Sequence, residues 1–149
     1  MRAVIQRVSR ARVHVGAETV GEIGPGLLAL VGVAADDGPA DIAYIAGKIR
    51  DLRIFDDEHG KMNRALGDTG GAVLVVSQFT LYGDVRKGRR PSFDRAAPAD
   101  DGRTIFDAVV ATLRAAGVTV ENGTYRAHMQ VELVNDGPVT ILVDSRREF

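Results

Sequence analysis

Two apolar runs constrain the fold of this chain more than any other feature. They cover residues 27–33, where only Gly32 interrupts the run, and residues 72–76. A strand with apolar side chains on both faces has to be buried on both sides, as happens at the centre of a sheet. Neither run is long enough to span a membrane, so no membrane partner is expected.

Shorter patterns fill the rest of the chain. Alternation of apolar and polar residues predicts strands at 4–8, 12–15, 19–23, 118–120, 128–134 and 139–143, and a short strand or strand end at 53–55. Helical spacing predicts one helix after Pro39 and a second at about 101–116. A loop is predicted at 67–71, and a long polar and basic connection at 83–99. The pattern predicts one α/β domain over residues 1–149.

The residue inventory excludes several kinds of chemistry. The chain has no Cys, which excludes disulfides, a thiolate nucleophile and Cys-ligated zinc. Its three His residues are scattered, and no nucleophile elbow, P-loop or dinucleotide fingerprint occurs. An enzyme built from this chain is expected to use no standard triad, no metal and no bound cofactor. The first ten residues lack the apolar core of a signal peptide, so a cytoplasmic location is expected.

The net charge conceals local basic clusters. Nineteen Lys and Arg residues against twenty Asp and Glu residues give a charge of −1, which by itself argues against a nucleic-acid partner. However, Arg86, Lys87, Arg89 and Arg90 place four positive charges in five positions, and a second arginine-rich group opens the chain. Such clusters are candidates for phosphate contacts, with solvated loop charge as the ordinary alternative.

Ser77, Gln78, Phe79 and Thr80 are the first candidates for ligand contacts. They follow the buried run at 72–76, and strand ends of α/β folds commonly carry ligand-binding groups. The alternative is a strand end whose polar side chains only satisfy local backbone groups.

The second candidate segment is the turn at 135–138. The bond between Gly137 and Pro138 is of the kind that can adopt the cis form and fix the direction of its carbonyl groups. An ordinary hairpin turn is the alternative, and composition alone favours it.

These motifs, taken in order, resemble those of the D-aminoacyl-tRNA deacylases, the D-tyrosyl-tRNA deacylase family. The resemblance runs essentially from end to end, and its diagnostic parts are Ser-Gln-Phe-Thr-Leu at 77–81 and Asn-Asp-Gly-Pro-Val-Thr at 135–140. The other matching stretches lie at 3–8, 21–28, 53–55, 60–63 and 90–93. One stretch departs from the family pattern, since this chain has Tyr125 and Arg126 shortly before Met129.

The resemblance implies hydrolysis of the ester that joins a D-amino acid to the 3′ end of tRNA. It also implies removal of glycine wrongly attached to alanine tRNA, without a cofactor, by a homodimer with each active site at the subunit interface. We expect the α/β fold to hold mixed and antiparallel strands in two layered, barrel-like sheets with two helices on one face. The alternatives are a non-catalytic tRNA- or ribosome-binding module and a generic esterase or peptidase.

The resemblance also implies roles for individual residues. Those implied to be catalytic are Phe79, through its backbone N–H, and Thr80. Those implied to line the substrate site are Ser77, Gln78 and Met129. Because the terminal ribose offers a hydroxyl beside the ester, attack by water is favoured over a covalent route through Thr80.

Selection of the D-amino acid is implied to depend on the Gly-Pro motif. Gly137 and Pro138 are implied to be joined by a cis bond, to reach into the partner's pocket and to exclude an L side chain. Arg7 is implied to hold their orientation. A rigid backbone that collides with the wrong enantiomer discriminates more strongly than attractive pocket contacts do.

Overall fold

Strand β1, Arg2–Val15, organises the sheet because it is paired along both edges. In the computed structural model, which describes residues 1–149, one edge of β1 pairs with β8, Gln130–Asp144. The other edge pairs first with β3, Gly26–Gly32, and then with β2, Glu18–Ile23. All three pairings are antiparallel.

Parallel strands extend the sheet beyond β3. Strand β6, Ala72–Ser77, pairs with β3, and β7, Thr119–Asn122, pairs with β6. The sheet then curls until β7 approaches β2, where a Cβ atom on Gly21 would lie 2.9 Å from the carbonyl oxygen of Asn122. The result is a nearly closed, barrel-like mixed sheet, which confirms the predicted fold class.

Two helices cover one face of this sheet. The helix predicted after Pro39 is α1, Pro39–Asp51, and the helix predicted at 101–116 is α3, Ala99–Ala115. The two helices contact each other, and each buries an apolar stripe with helical spacing. The stripe residues include Ile45 and Ile49 of α1 and Phe106, Val109 and Leu113 of α3.

The sheet separates two hydrophobic cores. The larger core has 21 buried residues and lies between the sheet and the helices, whereas the smaller core of 7 buried residues consists of strand residues alone. Strand β6 supplies both, because Val73 and Val75 enter the larger core while Leu74 and Val76 enter the smaller one. This two-sided burial is the reason that the runs at 27–33 and 72–76 are apolar throughout.

Strands β1 and β8 change from one core to the other partway along their length. The change coincides with an irregular register. Gln6 pairs with Thr140 and Arg10 pairs with Val134, so β8 has two more residues than β1 between these two pairs. The residues of β8 that have no partner in this stretch include 136–139. Bulges of this kind let a strand turn a corner between layers.

Two predicted pairs of strands are single strands in the structure. The strands at 4–8 and 12–15 form one continuous β1, and those at 128–134 and 139–143 form one continuous β8. The hairpin turn considered for 135–138 is therefore wrong, because the chain keeps its direction there and bulges instead. Glycine and small polar residues favour bulges as well as turns, so composition does not separate the two.

The stretch between α1 and β6 holds small elements that the sequence predicts only in part. Strand β4, Phe55–Asp56, pairs with β5, Met62–Arg64, so only Phe55 of the strand predicted at 53–55 is in a strand. A one-turn helix, α2, Leu66–Thr69, overlaps the loop predicted at 67–71. None of the helices has both the length and the apolar character needed to cross a membrane.

We expect Gly26→Ala to destabilise the fold at the start of β3. A Cβ atom there would lie 1.9 Å from the carbonyl oxygen of Ala72, which belongs to the backbone of the paired strand β6. The two strands would have to separate locally, at a cost of about 3 kcal/mol in the free energy of unfolding. Urea denaturation monitored by circular dichroism measures this loss.

Gly47→Ala in α1 is the matched control. A Cβ atom at Gly47 meets nothing within 4 Å, and alanine favours a helix more than glycine does. The control is expected to raise the free energy of unfolding by about 0.5–1 kcal/mol. Equal effects of the two substitutions would contradict the close pairing of β3 with β6.

Candidate active site

A cavity of about 490 Å³ lies at the carboxyl ends of the parallel strands β3 and β6. Parallel strands end at a common edge of the sheet, and ligands in α/β folds commonly bind there. Val31 and Val76 line the cavity from the two strands, and Ser77, Gln78 and Phe79 line it from the end of β6. The predicted candidate segment therefore reaches the cavity through three of its four residues.

The backbone around Gln78 sets the geometry of this segment. The N–H of Gln78 donates to the carbonyl oxygen of Val31 at 2.8 Å, which continues the β3–β6 pairing by one residue. The chain then enters a 3-10 turn at Phe79–Tyr82, in which the N–H of Leu81 donates to the carbonyl oxygen of Gln78 at 3.2 Å. Two polar side chains are thereby joined, because the Gln78 side-chain amide donates to the Thr80 hydroxyl.

Phe79 is a large aromatic side chain that the fold leaves at the surface. It is 58% exposed although it lines the cavity. Its ring contacts the edge of Phe93, with the centroids 5.0 Å apart and the planes at 67°. Phe79 thus packs against an aromatic side chain of the 83–99 connection. Burial in a hydrophobic core does not explain its position.

A second part of the cavity wall comes from the residues that precede β8. Met129 and Tyr125 both line the cavity, and each packs against a glycine. A Cβ atom added at Gly123 would lie 2.7 Å from the Met129 sulfur. One added at Gly102 would lie 2.6 Å from the Tyr125 hydroxyl. Burial raises the pKa of Tyr125 above its ordinary value, so this hydroxyl stays protonated, and available as a donor, into more alkaline solution than a free tyrosine does.

The stretch that departs from the family pattern forms part of this wall. Arg126 lines the cavity, is exposed, and has a backbone φ of 66°, in the left-handed region. Its guanidinium group makes no ion pair with a carboxylate. Arg126 therefore brings an uncompensated positive charge to the cavity.

Arg7 is buried beneath the bulge of β8. Its guanidinium group is 9% exposed and lies opposite the residues that have no partner in β1. Nε donates to the carbonyl oxygen of Asp136 at 3.1 Å, and Nη1 donates to the carbonyl oxygen of Ile54 at 2.8 Å. Carboxylate oxygens of Asp56 and Asp136 lie 3.4 and 3.5 Å from the same group. A buried cation with these acceptors ties the bulge to the body of the domain.

Gly137 and Pro138 form the exposed part of the bulge. The peptide bond between them is cis, as the resemblance implies. Gly137 has a φ of 133°, and a Cβ atom there would lie 2.7 Å from a methyl carbon of Val139 and 3.2 Å from Nη2 of Arg7. Glycine is therefore required for both the backbone conformation and the close approach of Arg7.

The structure brings together some of the predicted site residues and leaves others apart. Ser77, Gln78, Phe79 and Met129 share the cavity, and Thr80 follows them in the same turn. Gly137, Pro138 and Arg7 do not line it. Within one chain, the two predicted halves of the site are therefore at separate places.

Several cavity residues were not predicted from the sequence. They include His128 before β8, Ala97 in the long connection and Gly102 in the first turns of α3. Gly102 carried a usable signal, because a glycine inside a helix often marks a close approach. The sequence around His128 and Ala97 has no signal that distinguishes these two residues from other surface residues.

The predicted basic cluster is exposed in the 83–99 connection. Arg86 pairs with Asp84, and the Arg86 guanidinium holds the pKa of that carboxyl well below its usual range. Lys87, Arg89 and Arg90 have no ion-pair partner. Three positive charges of this loop are thus free to meet an external anion.

Comparison with known proteins identifies the class to which this fold and site belong. The model of the family described as D-Tyr-tRNA(Tyr) deacylase matches residues 4–144. A D-aminoacyl-tRNA deacylase of Heliobacterium modesticaldum is 62% identical over 98% of this chain and 97% of its own length. One of Thermotoga petrophila is 58% identical over the full length of both chains.

Solved structures agree with these relatives. A structure described as c-Myc DNA Unwinding Element Binding Protein superimposes with a TM-score of 0.91 at 38% identity, covering 97% of this chain and 98% of that one. A probable eukaryotic D-amino acid tRNA deacylase superimposes with a TM-score of 0.81 at 20% identity, which shows the shared fold. The chain belongs to the D-Tyr-tRNA(Tyr) deacylase family, as the sequence resemblance predicts. It is a hydrolase.

We expect Phe79→Ala to leave the stability of the fold nearly unchanged. The side chain is 58% exposed and loses only its edge contact with Phe93. The free energy of unfolding is expected to fall by less than about 1 kcal/mol. The matched control, Phe106→Ala, removes a side chain that is 2% exposed and is expected to cost about 3–5 kcal/mol. Similar losses for the two variants in urea denaturation would contradict a surface role for Phe79.

Proposed function

We propose that this chain hydrolyses the ester that joins a D-amino acid to the 3′ end of tRNA, releasing the free amino acid and tRNA. The observation that carries the proposal is the segment Ser77–Thr80 at a cavity of about 490 Å³ in a member of the deacylase family. A cytoplasmic enzyme that recycles mischarged tRNA is the setting we propose for it.

Water is the attacking group in this proposal. Its oxygen bonds to the ester carbonyl carbon, the bond from that carbon to the ribose oxygen breaks, and the ribose oxygen takes up a proton. The neighbouring ribose hydroxyl lies beside the ester and assists the proton transfer. The protein then has to position the substrate and to stabilise the oxyanion.

The 3-10 turn supplies groups suited to that task. The first N–H groups of a helical turn have no acceptor within the turn, so the Phe79 N–H is the donor that we assign to the oxyanion. The Thr80 hydroxyl is held by the Gln78 side-chain amide. We assign this pair to substrate contact, and we prefer water attack to a covalent route through Thr80.

The bulge of β8 is the element that we assign to discrimination against L-amino acids. Gly137 and Pro138 are exposed, while Arg7 holds the carbonyl of the preceding Asp136 from below. Rigid backbone presented in this way rejects a side chain of the wrong hand by collision. Glycine has no side chain to reject, so removal of glycine from alanine tRNA is compatible with the same device.

We propose that a second copy of the chain completes each site. One chain carries the cavity and the bulge at separate places, so a bulge can reach a cavity only from another copy. The free edge of β8 and the exposed apolar side chains of Val134 and Leu142 offer a surface for such pairing. A two-fold homodimer then places each bulge at the other subunit's cavity.

The basic loop is proposed to contact tRNA phosphates. Lys87, Arg89 and Arg90 are exposed and unpaired, and they lie on the same 83–99 connection that carries Phe93 beside Phe79. Such contacts contribute affinity without base specificity and weaken as salt rises.

The enzymatic proposal is tested with D-Tyr-tRNA and L-Tyr-tRNA in parallel. We expect the D-substrate to be hydrolysed more than about 100-fold faster, because a steric filter excludes the L side chain. Release of labelled tyrosine at fixed enzyme concentration measures both rates. Equal hydrolysis of the two would eliminate the chirality filter. Binding of tRNA without hydrolysis of either would instead support the non-catalytic binding module.

The shared site is tested by a mixed dimer. Gln78→Ala and Gly137→Ala are each expected to inactivate the homodimer, the first at the cavity and the second by forcing a side chain onto the bulge. In a dimer with one chain of each kind, one site combines the intact cavity of one chain with the intact bulge of the other. Such a dimer, isolated with two affinity tags, is expected to recover about half of the wild-type activity. An inactive mixed dimer would place each whole site within one chain.

A further inference from the structure

A second cleft, of about 300 Å³, adjoins the segment that leads away from the cavity. Residues 77–79 line the cavity, whereas Tyr82, Gly83 and Asp84 line this cleft. The two spaces are therefore connected by one continuous 3-10 turn. The cleft is polar, since only two of its eight lining residues are hydrophobic.

Two arginines in this cleft hold one carboxylate. Arg95 binds Glu148 in a bidentate manner, with nitrogen-to-oxygen distances of 2.7 and 3.0 Å. Arg2 donates from Nη2 to the same carboxylate at 2.8 Å. The pKa of Glu148 is lowered to about 2 by the hydrogen bond from Arg95 and by Arg2, so Glu148 stays an anion well below neutral pH.

The arginines are positioned by contacts that do not involve Glu148. Arg2 donates to the carboxylate of Asp144 at 3.0 Å and to the carbonyl oxygen of Leu81 at 3.1 Å. Both guanidinium groups lie over the ring of Tyr82, at 4.8 Å for Arg2 and 5.7 Å for Arg95. Arg2 thus has hydrogen-bond partners other than Glu148, and Arg95 has the Tyr82 ring.

The chemistry of the cleft suits a phosphate. Two guanidinium groups converging on one anion match the oxygens of a phosphodiester as well as those of a carboxylate. Arg86 lines the same cleft, where it pairs with Asp84, and the unpaired Arg89 and Arg90 follow it along the loop. Along the chain, basic residues therefore follow the segment that lines the cleft, while the residues that line the cavity precede it.

We propose that this cleft binds a backbone phosphate near the 3′ end of the RNA substrate, and that Glu148 occupies the phosphate position in the free protein. The inference rests on the proposed function, because the proposed function places the ester in the cavity. The RNA backbone next to the ester then lies in the cleft. Glu148 thus competes with the RNA, and binding requires its displacement.

Two substitutions test the competition in opposite directions. Glu148→Gln removes the competing charge and is expected to tighten binding of uncharged tRNA about 3- to 10-fold. Arg95→Gln removes a phosphate contact, weakens binding by a similar factor, and lowers the slope of log Kd against log salt by about 1. Fluorescence anisotropy with labelled tRNA, measured from low to moderate salt, gives both quantities.

Asp51→Asn is the matched control. Asp51 is an exposed carboxylate paired with Arg50 at 2.7 Å on α1, away from the cleft. Its removal changes the net charge by the same amount as Glu148→Gln, so it is expected to leave Kd within about twofold. Thermal unfolding of all three variants separates an effect on binding from a loss of folded protein.

The outcomes separate this inference from the proposed function. If Glu148→Gln binds tRNA no more tightly than Asp51→Asn does, the competition is overturned, and the Arg95–Glu148 pair only fastens the residues after β8. That result leaves D-Tyr-tRNA hydrolysis by the wild type untouched. Conversely, tighter tRNA binding by Glu148→Gln supports phosphate binding in the cleft. That support holds even if the wild type hydrolyses neither D-Tyr-tRNA nor L-Tyr-tRNA.

Discussion

Burial of β3 and β6 on both faces is the constraint on which the rest of the structure depends. Because these strands need apolar neighbours on each side, the helices cover one face and the curled remainder of the sheet covers the other. The parallel pairing of the two strands brings their carboxyl ends to one edge. The cavity lies there, between residues that belong to different cores, so the same requirement that fixes the fold also fixes the place of the chemistry.

The proposed site depends on ordered backbone more than on ionisable side chains. A 3-10 turn directs N–H groups from the end of β6, and the buried guanidinium group of Arg7 holds the carbonyl of Asp136 at the bulge. Peptide groups fixed in this way need no reorganisation when a substrate arrives, which is how preorganised dipoles stabilise developing charge. In the proposed mechanism, these peptide groups and the ribose hydroxyl of the RNA together replace the thiolate that a chain without Cys lacks.

The sequence predicted the parts of the fold that depend on local pattern. The central runs, the helices α1 and α3, and the segment Ser77–Thr80 follow from periodicity and from the rule that strand ends carry ligand groups. The continuity of β1 and β8 did not follow, because a bulge and a turn use the same residues. Ala97 and His128 also escaped prediction, since their place in the cavity is set by packing between segments distant in sequence. The roles proposed for Gly137 and Pro138 came from the family resemblance.

The bulge in β8 also has a consequence for how the chain can change in length. Between Gln6 and Arg10 the two strands differ by two residues, an even number, so side chains keep their alternation on both sides of the bulge. A single-residue insertion or deletion that shifted residues 140–144 by one position against β1 would invert their side chains and turn Val143 out of the larger core. A change of two residues preserves this alternation, whereas the tip keeps Gly137, which the backbone conformation and the close approach of Arg7 both require.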